Sequence, residues 1–225
     1  MSSYTWSKAI TNAPQFRNAG GVNGNENSPP QDSFNLAAER SLASFHNSHR
    51  WINTFLYDLP VQKNMGIASK LFADIQLSGI LSMQSGFPFT VNVSGDTAGI
   101  GAGTGGILIR PNYISGRTVE LSGAERTTDR FFNTAAFAAP AAAAFGNLGR
   151  NTIIGPSLTN LDMVIAKNIA IKEAMKLQVR AEVFNIFNHS NYNLVGRIIN
   201  DPATFGRVLN QLDPRQLQFG LKLAF

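Results

Sequence analysis

The sequence has 225 residues, 44% hydrophobic and only 15% charged, with a formal net charge of +5 and no cysteine. The missing cysteine excludes a disulfide framework, a thiolate metal site and a cysteine nucleophile, and the scattered basic excess argues against nucleic acid as a partner. No stretch approaches the ~18 consecutive apolar residues of a transmembrane helix. A mean hydropathy of −0.05 with so few charges instead suits a membrane barrel, in which every second strand residue faces water.

The opening MSSYTWSKAITN has no basic segment followed by an apolar run, so no export signal is visible. An outer-membrane reading therefore expects the sequence to lack its beginning. Tyr4-Thr5-Trp6 reads as the end of a strand, and residues 10–50 as a long loop rich in Asn, Gly, Ser and Pro. In the segment 51–59, Trp51, Phe55, Tyr57 and Leu59 share one face, interrupted by Asn53. A short polar link at Gln62-Lys63-Asn64 leads into a strand over 69–84. There Leu71, Ala73, Ile75, Leu77, Gly79, Leu81 and Met83 alternate with Lys70, Asp74, Gln76, Ser78, Ser82 and Gln84, with Phe72 and Ile80 breaking the polar face.

Residues 94–158 form the longest predicted loop, with a glycine-rich stretch at 99–106 and a low-complexity AAFAAPAAAA at 135–144. The segment 160–171 places Leu161, Met163, Ile165, Ile169 and Ile171 on one face, interrupted by Lys167. After a tight turn at Lys172-Glu173-Ala174, the strand 175–187 shows the cleanest alternation. Met175, Leu177, Val179, Ala181 and Val183 interleave with Lys176, Gln178, Arg180 and Glu182. Period two puts one set on each face of a strand, whereas a helix would scatter those charges all round. A loop over 188–214 then leads to the last strand, in which Leu217, Phe219, Leu221, Leu223 and Phe225 alternate with Gln216, Gln218, Gly220, Lys222 and Ala224.

The expected fold class is all-β: about six meandering antiparallel strands of a transmembrane β-barrel, with long extracellular loops and short periplasmic turns. Strands of 9–11 residues suit a tilted crossing of the hydrocarbon, where backbone pairing must be complete. If the C-terminus lies in the periplasm, every long loop falls outside and every short turn inside, the layout of outer-membrane barrels. Trp51, Tyr57, Phe87, Phe89, Phe184 and Phe187 are placed as interfacial aromatic girdles. A soluble β-sandwich accounts for the alternation but not for three loops of this length.

Several words of the sequence resemble the C-terminal half of Oar-like TonB-dependent transporters. They are Tyr4-Thr5-Trp6-Ser7-Lys8, His49-Arg50-Trp51, Tyr57-Asp58-Leu59-Pro60 and Gln84-Ser85-Gly86-Phe87-Pro88-Phe89. Further on come Phe131-Phe132-Asn133-Thr134-Ala135-Ala136-Phe137, Phe145-Gly146-Asn147, Gly149-Arg150-Asn151, the run Arg180 to His189, and Arg215 to Phe225. The resemblance implies that residues 1–225 are the C-terminal part of a barrel of about 22 strands, with the plug and N-terminal domains absent. It implies outer-membrane lipid, the barrel-assembly machinery, TonB through the missing N-terminal region, and an unidentified extracellular ligand as partners. Phe225 would be the barrel-assembly signal. A non-transporting surface protein for adhesion or matrix assembly, or a soluble β binding module, are the alternatives.

The candidate residues follow from the faces. Lys70, Asp74, Gln76, Lys176, Gln178, Arg180, Glu182 and Lys222 are expected to face the lumen. Leu71, Ile75, Leu77, Leu177, Val179, Val183, Leu217, Phe219, Leu221 and Leu223 are expected to face lipid. Tyr113, Phe131, Phe132 and Phe137 are candidates for contact with an extracellular ligand, because loops on a rigid scaffold carry function. Gly101 to Gly106 matches G-x-G-x-x-G, but Ile107-Leu108-Ile109-Arg110-Pro111 cannot open the helix that would hold a pyrophosphate. His46, His49 and His189 lack an accompanying ligand set, and no nucleophile elbow occurs. The expectation is therefore no catalytic residue, no metal and no cofactor.

Overall fold

The computed structural model describes residues 1–12, 30–61, 66, 72–101, 109–172 and 175–225. Six strands form one sheet: β1 (Ser2–Trp6), β2 (His49–Asp58), β3 (Ile75–Gln84), β4 (Leu158–Lys172), β5 (Met175–Phe184) and β6 (Gln216–Ala224). Each pairs antiparallel with the next in chain order, so the sheet is a meander with β1 and β6 at its open edges. Strands β2, β3 and β5 have 10 residues and β6 has 9, the length that crosses a bilayer at a tilt. Strand β4 has 15 and continues past the start of β3 in a hairpin with β5.

The register turns the alternation of single strands into two continuous faces. On one face, cross-strand rows join Tyr57, Leu77, Ile165, Ala181 and Phe219, then Phe55, Gly79, Met163, Val183 and Leu217. On the other, rows join Asp58, Gln76, Ala166, Arg180 and Gly220, then Asn168, Gln178 and Lys222. A slip of one residue anywhere would exchange these sets. Gly79 is needed in the first face because the Phe55 ring lies across it. A Cβ there would come within 2.6 Å of that ring and 2.8 Å of the Asp162 carbonyl.

Two strand boundaries and the start of the longest loop differ most from expectation. The third strand starts at Ile75 rather than 69, because Phe72–Asp74 turns and Asp74 takes a φ of 57°. The connection after Asp58 is therefore longer than a tight link. Its Gln62-Lys63-Asn64 lies outside the described residues, as do Glu173 and Ala174 of the next turn and 102–108 of the glycine-rich stretch. Strand β5 stops at Phe184, since Asn185 with φ 50° and Asn188 with φ 50° bend the chain left-handed. The longest loop starts at Ser85, directly after β3.

The dry core of this chain lies in its loops. Leu217, Phe219 and Leu221 on the wall are 60%, 77% and 76% exposed, whereas the buried cluster is Phe89, Val91, Phe131, Phe132, Ala136, Phe137, Leu148, Ile153 and Val195. All nine belong to the loops after β3 and β5. Phe132 is the hub: its ring meets Phe89 at 6.0 Å and packs edge-on to Phe137 at 5.7 Å and Phe205 at 5.3 Å. Such pairings add roughly 0.5–1.5 kcal/mol beyond area burial. The low-complexity 135–144 stretch is part of this core, as Ala136 and Phe137 show, and Gly146 lets the chain pass so close to the Arg110 carbonyl that no Cβ would fit.

Candidate functional site: a two-faced wall beneath a packed loop cap

The described parts of the three long connections between β1 and β2, β3 and β4, and β5 and β6 meet at one end of the sheet and are bonded into a single cap. The first joins the second through Glu39, whose carboxylate accepts from Arg110 Nη1 at 2.7 and 2.9 Å, while Arg150 Nε donates to the Glu39 carbonyl at 3.2 Å. Arg150 also reaches the Thr11 carbonyl, and Asn151 donates to the Leu42 carbonyl at 2.8 Å. Glu39 and Arg110 are 2% and 4% exposed. Burial holds the Arg150 guanidinium below its ordinary pKa, opposed by Glu39 and reinforced by Arg110, yet arginine remains charged. The second connection joins the third through Asn92 and Arg197, Ser94 and Asn200, and the Phe131 amide donating to the Gly206 carbonyl at 2.7 Å.

His46, 4% exposed, anchors the base of the first connection. Its Nδ1 accepts from the Ala9 amide at 3.2 Å and its Nε2 meets Ser48 Oγ at 3.0 Å, which fixes the neutral Nε2–H tautomer as the one that satisfies both. Burial, and secondarily Lys8, lower its pKa. His49 meets the Tyr4 hydroxyl at 2.7 Å and His189 Nδ1 lies 3.1 Å from Asn191 Oδ1. Each is thus held by a neighbour within the loops or at the rim.

On the polar face, Gln76 donates to Asp58 at 2.9 Å, Gln178 to Asn168 at 3.0 Å, and Arg180 pairs with Glu182 at 2.8 Å. Small neighbours, Ala166 on β4 and Gly220 on β6, leave Arg180 room. Lys176 and Lys222 share this face, whereas Asp74 sits in the turn before β3 and presents its carbonyl to the Asn168 amide at 3.1 Å. Asp74 is therefore not on the strand, as expected, but at its entry. On the apolar face lie Ile75, Leu77, Leu177, Val179, Val183, Leu217, Phe219, Leu221 and Leu223, with Phe225 following β6 at 94% exposed. Lys70 and Leu71 lie outside the described residues. Lys167 interrupts the apolar face, but its ammonium runs to the Ala73 carbonyl at 3.1 Å, at the short-turn rim, the behaviour of a snorkelling lysine.

The loop aromatics divide. Phe131, Phe132 and Phe137 are at most 6% exposed inside the cap, so they hold the loops together and are withdrawn from solvent. Tyr113 is exposed, with its hydroxyl donating to the Arg117 carbonyl at 2.7 Å. The aromatic girdle needs the same correction. Trp51 and Tyr57 do lie exposed on the apolar face, but Phe89 is in the cap core and Phe184 projects on the polar side. Phe187 stands 72% exposed on the loop after β5.

Beneath the cap, where the third connection bends over the polar face, a cavity of about 630 Å³ opens. Asn191 and Asn185 build its roof: Asn191 Oδ1 accepts from the Thr159 amide at 2.9 Å, and the Asn185 amide donates to Asp162 Oδ1 at 2.8 Å. Sequence reading found neither this cavity nor the Glu39 cluster, because their members are far apart along the chain and follow no period.

Residues 1–218 match the family described as outer membrane beta barrel domain. The chain belongs to that family. Its location is accordingly the outer membrane, and the open six-stranded meander is the part of the barrel wall that these residues form. No curated protein and no solved structure matches the chain.

Proposed function

We propose that this chain is a wall segment and extracellular cap of a TonB-dependent, Oar-like outer-membrane receptor that takes up an external ligand. The observation that carries the reading is the folding of three loops into one bonded cap on the polar side of a wall whose other side is exposed apolar residues. Lipid covers the face of Leu177, Val179, Val183, Leu217, Phe219, Leu221 and Leu223, since leaving these in water forfeits about 25 cal/mol per Å² of apolar surface. The face of Gln76, Lys176, Gln178, Arg180, Glu182 and Lys222 lines the lumen. Its ion pair and amide pairs need water or a plug beside them, because buried charges in hydrocarbon are costly. Phe225 serves the assembly machinery, TonB engages a region outside this chain, and the role is binding and passage rather than catalysis. The resemblance in the words from Tyr4 to Phe225 supports the receptor subtype.

The test uses the full-length protein in its own outer membrane with Gln178→Cys and, separately, Val179→Cys. A membrane-impermeant maleimide is expected to label the Gln178→Cys variant only in energised cells carrying TonB, and a protonophore to abolish the labelling. The Val179→Cys variant is expected to react only with a lipid-soluble reagent. Labelling of the Gln178→Cys variant that ignores energy and TonB would replace transport with the adhesive or matrix-assembly reading.

A further inference from the structure

We infer that the cavity beneath the third connection is a subsite for a neutral, hydroxyl-rich ligand, that is, a segment of an oligosaccharide. The inference rests on the receptor reading above for its access to ligand, and on the chemistry of the cavity for the ligand class.

At about 630 Å³ the space falls within the ~300–1,000 Å³ of small-molecule pockets. Its lining is dominated by side-chain amides, with Asn160 and Gln216 from the wall and Gln211 from the loop, and with Asp162 and Asp213 as the charged members. No lysine, arginine or histidine lines it among the described residues. An amide offers two N–H donors and a carbonyl acceptor on one plane, which matches adjacent sugar hydroxyls, each both donor and acceptor. Carboxylates add acceptors only.

Some of these groups are committed to the architecture and others are free for a ligand. Asp162 Oδ1 is taken by Asn160 Nδ2 at 2.9 Å and the Asn185 amide at 2.8 Å, which orients the carboxylate, and its Oδ2 makes no hydrogen bond among the described residues. The side chains of Gln211, Asp213 and Gln216 make no hydrogen bond among the described residues. Phe184, beside Gln216 in the β5–β6 register and 38% exposed, supplies a flat apolar wall for the C–H face of a sugar ring. The two carboxylates disfavour anionic ligands, including acidic saccharides. A cation would be drawn by the two carboxylates and the amide carbonyls, but it leaves the amide N–H donors without acceptors, whereas sugar hydroxyls use both.

Outer-membrane vesicles holding the full-length protein, without an energy source, are titrated with fluorescent neutral tetrasaccharides of glucose, galactose, mannose and xylose. The same vesicles are titrated with tetragalacturonate and with tetralysine. At least one neutral tetrasaccharide is expected to bind saturably, and at least about tenfold more tightly than tetragalacturonate. Gln216→Leu, at a side chain that makes no hydrogen bond among the described residues, is expected to weaken that binding about tenfold, the ~1.4 kcal/mol of a good hydrogen bond. Asp213→Leu should weaken it as well, which guards against a folding defect peculiar to one variant. Absence of saturable binding by every neutral tetrasaccharide, tighter binding of tetralysine, or unchanged affinity in both variants would overturn the inference. Because the vesicles are not energised, these results stand apart from the energy dependence that tests the receptor reading.

Discussion

Replacing Glu39 by glutamine changes almost nothing in shape and removes the charge shared by one buried guanidinium, Arg110, and one half-buried guanidinium, Arg150. Arg110 Nη1 lies 2.7 Å from one carboxylate oxygen and Arg150 Nε lies 3.7 Å from the other, with Glu39 2% exposed. An amide can still accept one bond from Arg110, but the cluster goes from one net positive charge to two in a dry site. Breaking a buried pair by removing one partner costs about 3–5 kcal/mol, so the cap of Glu39→Gln is expected to open roughly 10²–10⁴ times more often. The wall should be untouched, because Glu39 is in the cap and the sheet is held by its own ladder. The assay is limited proteolysis of the full-length protein in outer-membrane vesicles, following cleavage within 30–48 and 109–157 as a function of urea. The double variant Glu39→Leu with Arg110→Met is expected to recover much of the loss, since apolar replacement of a buried pair is often neutral. Cleavage of Glu39→Gln at the wild-type rate, or a double variant worse than the single one, would refute the claim that charge compensation at Glu39 clasps the loops.

Three further outcomes follow from other parts of the molecule. Val179→Arg puts a cation on the apolar face beside Lys167 in the same row, and is expected to cost assembly about 2–4 kcal/mol. Gln178→Arg, on the polar face, should fold normally, and equal loss of heat-modifiable barrel for the two would count against the facing. His46 is neutral when folded and its pKa is held below its ordinary 6.5 by burial. Its stabilisation of the cap base is complete above about that pH and declines as pH falls through the interval below it. Protease protection of residues 30–48 should fall accordingly, and His46→Gln should flatten the profile; identical profiles would dismiss the mechanism. Gly79→Val drives a branched side chain into the Phe55 ring and the Asp162 carbonyl, an overpacking cost of about 1–3 kcal/mol. Trimming Phe55 to alanine should not restore assembly fully, because the Asp162 carbonyl cannot move out of the ladder, and full rescue would locate the obstruction in the ring alone.

The sequence by itself determined the wall. Alternation in residues such as Leu177, Val179, Arg180 and Glu182 is a local consequence of strand geometry, and the rows seen across β3 to β6 join residues of like parity. The lengths of the connections, alternating long and short, further determined which rim carries the cap. What periodicity could not supply were boundaries set by backbone turns, at Asp74 and Asn185, and the fate of every residue in an aperiodic loop. Phe131, Phe132 and Phe137 read as candidates for ligand contact because nothing in their spacing reveals a core, yet they are buried in the cluster that the loops form among themselves. Only the tertiary structure decided that Glu39 meets Arg110, and that Asp162, Gln211, Asp213 and Gln216 surround one space. Those encounters depend on how three separate loops fold back over the same rim, and chain separation carries no trace of them; the two faces of a strand, by contrast, are set by the geometry of each residue and its neighbour.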